Sequence, residues 1–199
     1  GPEHLSSDDF VTNQLDQVNL GSAGILQTRD GATTTVEPLM MTGPSGGPIP
    51  RDTVFFARDP GAMLDNFEPG DEALTLAARI RGPAETAFPD GRPLDVDEKR
   101  APQAGTHLDA SEGPINVMVF SDVDLLADRF WVRVERFLGT RVPTPFADNA
   151  DLVFNALDNL GGNDDLISLR SRGRYERPFE VVNEIRREAE AKFRDREQQ

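Results

Sequence analysis

A short, almost unbroken apolar run lies between Ile115 and Phe120 (INVMVF). Gly113-Pro114 precede it and Ser121-Asp122 follow it, and residues of these types commonly bound strands. A short apolar run between turn residues predicts a strand that is buried on both faces. We therefore expect Ile115–Phe120 to be the central strand of an α/β sheet.

Strand and helix patterns alternate along the rest of the chain. Apolar or β-branched runs predict strands at 21–27, 33–42, 73–80 and 166–169, and an extended segment at 141–145. Pro38 favours an edge position or a bulge for the second strand. Helical spacing predicts helices near 8–18, 60–67, 127–137, 147–160 and 178–199. This alternation indicates a layered α/β domain.

The predicted organisation is one soluble α/β domain, residues 1–177, followed by a stalk helix, residues 178–199. Four prolines mark residues 82–112 as a polar loop that we expect to be mobile or to form a surface hairpin. The last helix carries a narrow apolar stripe of Val181, Ile185, Ala189 and Phe193 between charged residues. Such a helix buries only a narrow seam. We therefore expect its first turns to dock and its end to lead toward a membrane anchor.

The charge is large and unevenly distributed. The 199 residues have a formal net charge of −14, which argues against nucleic acid as a partner. Residues 166–199 nevertheless hold nine Arg/Lys against seven Asp/Glu. Their most basic part contains Arg170, Arg172, Arg174 and Arg177. This cluster is either a solvated linker or a contact with anionic lipid or an acidic partner surface.

Residue types exclude several kinds of chemistry. The chain has no cysteine, so disulfides, thiolate nucleophiles and Cys-ligated metals are excluded. Its two histidines are too few for a zinc site of the usual kind. There is no P-loop and no dinucleotide-binding fingerprint, so we expect no ATP binding. No cofactor and no metal is predicted.

The sharpest catalytic match is the G-x-S-x-G sequence at 43–47, with Ser45 as the nucleophile. A nucleophile elbow needs a helix that starts at once, and here Pro48 and Pro50 follow. Only His4 and His107 are available as the base. A tight Gly/Pro turn therefore explains the motif better than a hydrolase does.

Three aspartates follow the predicted central strand in the sequence SDVDLLAD. Asp122, Asp124 and Asp128 could bind a hard cation through oxygen. Aspartates at such a position also commonly accept hydrogen bonds from backbone N–H groups where a helix begins. We expect the second role, with Asp122 and Asp124 structural.

Several segments together resemble the soluble region of the gliding-motility-type ABC transporter auxiliary proteins (GldG-like). They are VTNQLDQVNLGSAGIL, VEPLMMTG, LAARIRGPAETAFPDG, INVMVFSDVDLLADRFW, ADNADLVFNALDNLGGNDDLISLRSRG and PFEVVNEIRREAEAKF. Their order and spacing match across nearly the whole chain, although Ser121 replaces the usual small residue. The residues that match the family pattern are Ser121, Asp122, Asp124, Asn149, Asn155, Asp158, Leu166, Ile167, Arg170, Arg172 and Pro178.

The resemblance implies assembly rather than turnover. Members of this family are membrane-anchored and act with an ABC permease and an ATPase. Their soluble region lies outside the cytoplasmic membrane, in the periplasm. It implies a Rossmann/flavodoxin- or amidotransferase-like layered mixed sheet with flanking helices. Ser121, Asp122, Asp124, Asn149, Asn155 and Asp158 are then expected to form a structural or ligand-binding corner. The oligomeric state stays open, a homo-oligomer included.

Two other functions stay open at this stage. The first is a solute-binding module that holds a sugar or a peptide in a cleft near Asp122. The second is an enzyme that uses Ser45 or the aspartates. An ordered ligand in the cleft would favour binding, and a helix that starts at Ser45 would favour hydrolysis.

Overall fold

The fold is described by a computed structural model for residues 1–56, 59–65, 67–91, 107–137 and 140–162. Within these residues it is mixed α/β, with antiparallel sheets and few helices. The chain divides into two compact units. The first contains residues 1–21 and the described residues from 124 onward, and the second contains residues 22–123.

The second unit is built on a three-stranded antiparallel sheet. Its strands are β1 (Thr35–Met41), β2 (Thr75–Gly82) and β3 (Ile115–Phe120), in the spatial order β1-β2-β3. The register between β1 and β2 shifts after Pro38, so β1 is the irregular edge strand that this proline predicted. Two short helices, α1 (Arg51–Phe56) and α2 (Pro60–Asp65), lie between β1 and β2 in sequence.

Among the strands that the structure describes, Ile115–Phe120 is not the central strand, so this prediction is wrong for the described sheet. In the described sheet β3 pairs only with β2, and Val117 is 42% exposed. The central strand is β2, where Ala77 and Ala78 are completely buried. Short alanine side chains let the segments that cover the two faces of the sheet pack closely against β2. An apolar run indicates that a strand buries some of its side chains. It does not show whether the strand is at the centre or at the edge of its sheet.

The two ends of the proline-rich loop pair with each other. The N–H of Thr86 donates to the Asp109 carbonyl at 2.8 Å, and the N–H of Ser111 donates to the Ala84 carbonyl at 2.8 Å. The described ends of residues 82–112 therefore have the antiparallel pairing of a hairpin base, and residues 92–106 lie outside the described part.

The first unit contains a helix and a hairpin. The helix α3 (Asn149–Leu160) lies within the predicted 147–160, and Gly162, with a positive φ, follows its end. The hairpin pairs β4 (Val132–Phe137) with β5 (Thr140–Pro145). The helix predicted over 127–137 is therefore wrong, because Val132 and Val134 belong to a strand. Only a short 3₁₀ turn, Asp128–Phe130, precedes it.

The predicted helix near residues 8–18 is also wrong. Successive turns replace it, with the N–H groups of Thr12 and Asn13 both directed at the Asp9 carbonyl. Val11 and Leu15 are buried, whereas Phe10 is exposed. Side chains of α3 bind backbone groups of this segment that a continuous helix would use for itself.

The structure confirms some of the other predicted elements and does not describe others. Strands 33–42 and 73–80 are confirmed as β1 and β2, and 21–27 contributes only one bridge, from Leu26 to Thr75. The Rossmann- or amidotransferase-like layering is not confirmed, since the described strand pairs are all antiparallel. Strand 166–169 and helix 178–199 lie outside the described residues. Among the residues described, no helix has both the length and the apolar character of a membrane span.

Candidate functional site

Four of the six predicted site residues form parts of two polar junctions, one in each unit. We call the group around Ser121 and Asp122 the Ser121 junction, in the second unit. The group around Asp148, Asn149 and Asn155 is the Asn149 junction, in the first unit. Each is described separately, and a single corner that unites all six predicted residues stays a prediction.

The Ser121 junction fastens the end of β3 to its surroundings. The Ser121 Oγ lies 2.7 Å from both the Gly24 and the Leu76 carbonyl oxygens, and its single proton is donated to one of them at a time. The Ser121 N–H donates to the Leu76 carbonyl, and the Gly24 N–H donates to the Ser121 carbonyl at 2.9 Å. The segment near Gly24 therefore continues beside β2 where β3 ends.

Asp122 completes this junction. It is only 5% exposed, and its Oδ2 accepts a hydrogen bond from the Ser22 N–H at 3.2 Å. A buried carboxylate is costly unless hydrogen bonds satisfy it. This geometry supports the structural role expected for Asp122, since its carboxylate holds the backbone at Ser22.

Asp124 is in a different environment. Its carboxylate is partly exposed and forms an ion pair with Arg129 at 3.0 Å. The Arg129 guanidinium in turn lies 4.6 Å from the centre of the Phe130 ring. Exposed ion pairs of this kind contribute at most about 1 kcal/mol to stability. Gly21 lies close to this group, and a Cβ there would be 2.6 Å from the Phe130 ring, so the ring would have to shift.

The Asn149 junction holds α3 to two backbone segments. Asn149 is completely buried at the first position of the helix. Its side-chain Nδ2 donates to the carbonyls of Asn19 at 2.7 Å and Leu125 at 2.8 Å, and its Oδ1 accepts the Asn19 N–H at 3.0 Å. One side chain thus joins three parts of the first unit.

Asp148 and Asn155 extend the same contact along the amino-terminal segment. The Asp148 Oδ2 accepts the N–H groups of Asp16 at 2.6 Å and Gln17 at 3.1 Å. Asn155, six residues after Asn149 on α3, donates to the Val11 carbonyl at 3.1 Å. Asp158 lies half-buried near the end of the helix. The geometry therefore supports a structural role for Asn149 and Asn155.

Sequence reasoning missed Asp148, Asn19 and Arg79. An Asp directly before a predicted helix indicates a cap, yet Asp148 makes no side-chain cap on α3 and binds Asp16 and Gln17 instead. Asn19 is the backbone partner of Asn149 and carries no pattern of its own. Arg79 is 1% exposed on β2, and its Nη1 lies 3.1 Å from the Asn116 Oδ1. The sequence signal that could have identified Arg79 is its position as a charged residue within the otherwise apolar strand sequence ALTLAARI.

The G-x-S-x-G sequence forms a tight turn, as expected. The Gly46 N–H donates to the Gly43 carbonyl at 2.9 Å, and the next helix starts only at Arg51. A Cβ at Gly47 would lie 2.7 Å from the Glu68 carbonyl oxygen, so a close backbone approach explains that glycine. Ser45 is exposed on this turn.

Several other ionisable groups of the described residues lie outside the two junctions. Among the residues that the structure describes, no group of three or more His, Asp or Glu side chains is placed to hold a metal ion. His107 lies 3.7 Å from Asp109 in an exposed pair. The pKa of the exposed Glu3 is lowered, chiefly because its carboxylate accepts a backbone hydrogen bond. Desolvation opposes this, and the amino terminus and His4 add smaller lowering effects. The cluster Arg170, Arg172, Arg174 and Arg177 lies outside the described residues.

Comparison with known proteins identifies a family. A family model described as an ABC-type uncharacterized transport system, ABC transporter auxiliary, matches residues 1–156. Comparison with curated proteins and comparison with solved structures give no significant match. The matched residues include both polar junctions.

Proposed function

The chain belongs to the ABC transporter auxiliary family, and on this premise we propose that it acts by protein assembly and not by catalysis. It serves an ABC-type transport system. In this proposal it is the extracytoplasmic, periplasmic domain of a membrane-anchored auxiliary subunit. Its partners are the permease and the ATPase of the same system.

The observation that carries this proposal is how the predicted site residues are used. Asp122 and Asn149 are buried, and each binds the backbone of a distant segment. Ser121 and Asn155 likewise direct their side chains at backbone carbonyls. Groups engaged in this way hold the fold together. We therefore infer that the functional part of the domain is its outer surface and not a pocket of reactive groups.

The solute-binding alternative has less support. It requires Asp122 to face a cleft and bind a sugar or a peptide. Asp122 is buried, however, and its Oδ2 accepts the Ser22 N–H. At 5% exposure this carboxylate is hardly accessible to a sugar or a peptide, which makes binding at Asp122 unfavourable.

A complementation experiment tests the proposal. The complete protein is deleted from its host and replaced by variants, and transport by the system is measured. Ser45→Ala should restore transport fully, because Ser45 lies on a turn and has no catalytic role. Asn149→Leu should restore little, because it disrupts the Asn149 junction. Loss of transport in a folded Ser45→Ala protein would contradict a non-catalytic role.

A further inference from the structure

The β4–β5 hairpin is a positively charged element of an acidic protein. Its two strands contain Arg133, Arg136 and Arg141 against one acidic residue, Glu135, whereas the whole chain has a formal net charge of −14. Within the described residues the hairpin is a sheet of two strands, and each of them pairs only with the other. The hairpin therefore concentrates positive charge on a narrow element of the first unit.

Two of these arginines are direct neighbours across the strands. Arg136 pairs with Arg141, and two positions along the same ladder Val134 pairs with Pro143. Proline has no N–H to donate, so the pair that Pro143 forms is a non-hydrogen-bonded one, the kind that brings side chains closest. The two kinds of pair alternate along a ladder, so Arg136 and Arg141 also form a non-hydrogen-bonded pair. Their Cβ atoms are then about 5 Å apart.

The charges of this arginine pair are not compensated within the hairpin face. Both side chains are exposed, and within the part of the chain that the structure describes neither forms an ion pair. Glu135 lies on the other face, because neighbouring residues of a strand alternate between faces. Like charges directly opposite each other are destabilising. An anionic group held between the two guanidinium groups would accept hydrogen bonds from both and offset this repulsion.

Apolar side chains lie beside the arginine pair. Val134 and Pro143 share its face, and Val134 is 45% exposed. We call the surface formed by Val134, Arg136, Arg141 and Pro143 the hairpin face. Surfaces that rest on lipid headgroups combine apolar side chains with long cationic ones whose charges stay in water. The hairpin face has this composition.

The size of the hairpin face favours a lipid surface over a protein partner. A stable interface between proteins uses about 20–30 residues on each side, and this face has only a few. Contact with anionic lipid does not require such an area, because each basic residue near the surface strengthens binding about fivefold. An anionic membrane also repels the acidic rest of the chain, which favours an approach by this face.

We propose that the hairpin face contacts the anionic phospholipid headgroups of the membrane. Arg136 and Arg141 bind one headgroup phosphate between them, and Val134 and Pro143 lie against the apolar part of the interface. This inference deepens the proposed function and rests on it, because two arginines strengthen binding only about 25-fold together. They therefore set which side of an anchored domain faces the lipid and do not recruit a free domain.

A tethered-vesicle experiment tests this contact. The 199-residue chain has no cysteine, so Val134→Cys carries a single environment-sensitive nitrobenzoxadiazole label. A carboxyl-terminal histidine tag binds nickel-chelating lipid and takes the place of a natural anchor. We expect the emission of the dye to rise several-fold on vesicles of phosphatidylglycerol and phosphatidylcholine in equal amounts, and little on phosphatidylcholine alone. A high salt concentration should reduce the rise, because salt screens exposed charges.

Charge variants of the labelled protein test the arginine pair. Arg136→Gln with Arg141→Gln should weaken the contact about 25-fold and return the emission to its value on phosphatidylcholine. Thermal unfolding should show no loss of stability in this variant, because the substitutions remove a repulsion. The matched control is Arg29→Gln with Arg51→Gln, two exposed arginines of the other unit, and it should keep the emission. Equal loss in both variants would make net charge the cause and overturn the proposal.

Three further results would overturn the proposal. The first is no rise on anionic vesicles with a folded protein, which would assign the arginine pair to an acidic protein surface. The second is an equal rise from a label at Val117→Cys, a valine of similar exposure (42%) in the other unit, which would show general adsorption. The third is loss of the emission with inorganic phosphate but not with sodium chloride of equal ionic strength, which would indicate a site for free phosphate. The vesicles contain no permease and no ATPase, so each of these results would leave the proposed assembly function intact.

Discussion

At the scale of single residues, buried amide and carboxyl groups bind backbone that has no regular partner of its own. Asn149 satisfies two carbonyls and one N–H, and Asp148 satisfies two further N–H groups. The amino-terminal segment forms turns instead of a helix, so Asp148 supplies hydrogen bonds to Asp16 and Gln17 that a helix would have supplied. Leaving the buried carbonyl that Asn149 binds at Leu125 unsatisfied costs about 1–3 kcal/mol.

Asn149 gives the clearest stability prediction at this scale. Asn149→Ala and Asn149→Leu should each lower the free energy of unfolding by about 2–4 kcal/mol, because both leave the Asn19 and Leu125 carbonyls unsatisfied. Urea unfolding followed by circular dichroism measures the change. Asn13→Ala, at an exposed position of the same unit, is the control and should stay within about 0.5 kcal/mol. Recovery of stability in the leucine variant would mean that volume, not hydrogen bonding, is what Asn149 supplies.

Asp122 gives a second prediction. Asp122→Asn should cost about 1 kcal/mol, because a neutral amide oxygen is a weaker acceptor for the Ser22 N–H than a carboxylate. Thermal unfolding should also be insensitive to added Ca²⁺ or Mg²⁺ in both proteins. A rise of several degrees with either ion that disappears in the Asn variant would show a metal site and refute the structural role.

At the scale of elements, the fold depends on which strand is central. The pattern of residues predicted β1, β2 and α3, because β-branched runs and helical spacing are local signals. It could not predict that β3 lies at an edge, since strand order is set by contacts between distant segments. It also missed β4, where the alternation of Val132 and Val134 was weaker evidence than the helical spacing around it. The Asn149 junction could not be predicted as a contact, because Asn19 and most of its other backbone partners are more than 100 positions away in the sequence.

The edge position of β3 predicts a difference between two lysine substitutions on one face of the sheet. Val117→Lys should cost less than about 1 kcal/mol, because a half-exposed lysine at an edge can reach solvent. Ala78→Lys, on central β2, should cost several kcal/mol, since it buries an unpaired charge. Thermal unfolding measures both. Equal losses would show that β3 is covered on its outer side.

At the scale of the whole molecule, the second unit is a continuous stretch of chain and the first is not. The two ends of the second unit are held together, by the Ser22 N–H on the Asp122 carboxylate and by the Gly24 N–H on the Ser121 carbonyl. Adjacent ends are characteristic of segments that fold as domains. The Ser121 junction is therefore the closing contact of this unit.

Residues 22–123 should accordingly fold when produced alone. We expect cooperative thermal unfolding and a circular dichroism spectrum dominated by β structure. A fragment of equal length, residues 45–146, lacks β1 and is the control that should not unfold cooperatively. If residues 22–123 showed no cooperative transition, the unit would depend on the rest of the chain for its stability.

Quantitative co-isolation from membranes tests the central claim of assembly most directly. The complete protein carries an affinity tag, and the permease and ATPase of its own transport system are counted by mass spectrometry. The account predicts that both subunits are recovered in fixed ratio to the tagged protein, and equally so from the Ser45→Ala variant. Recovery of the complete protein without either subunit, from membranes that contain both, would contradict it.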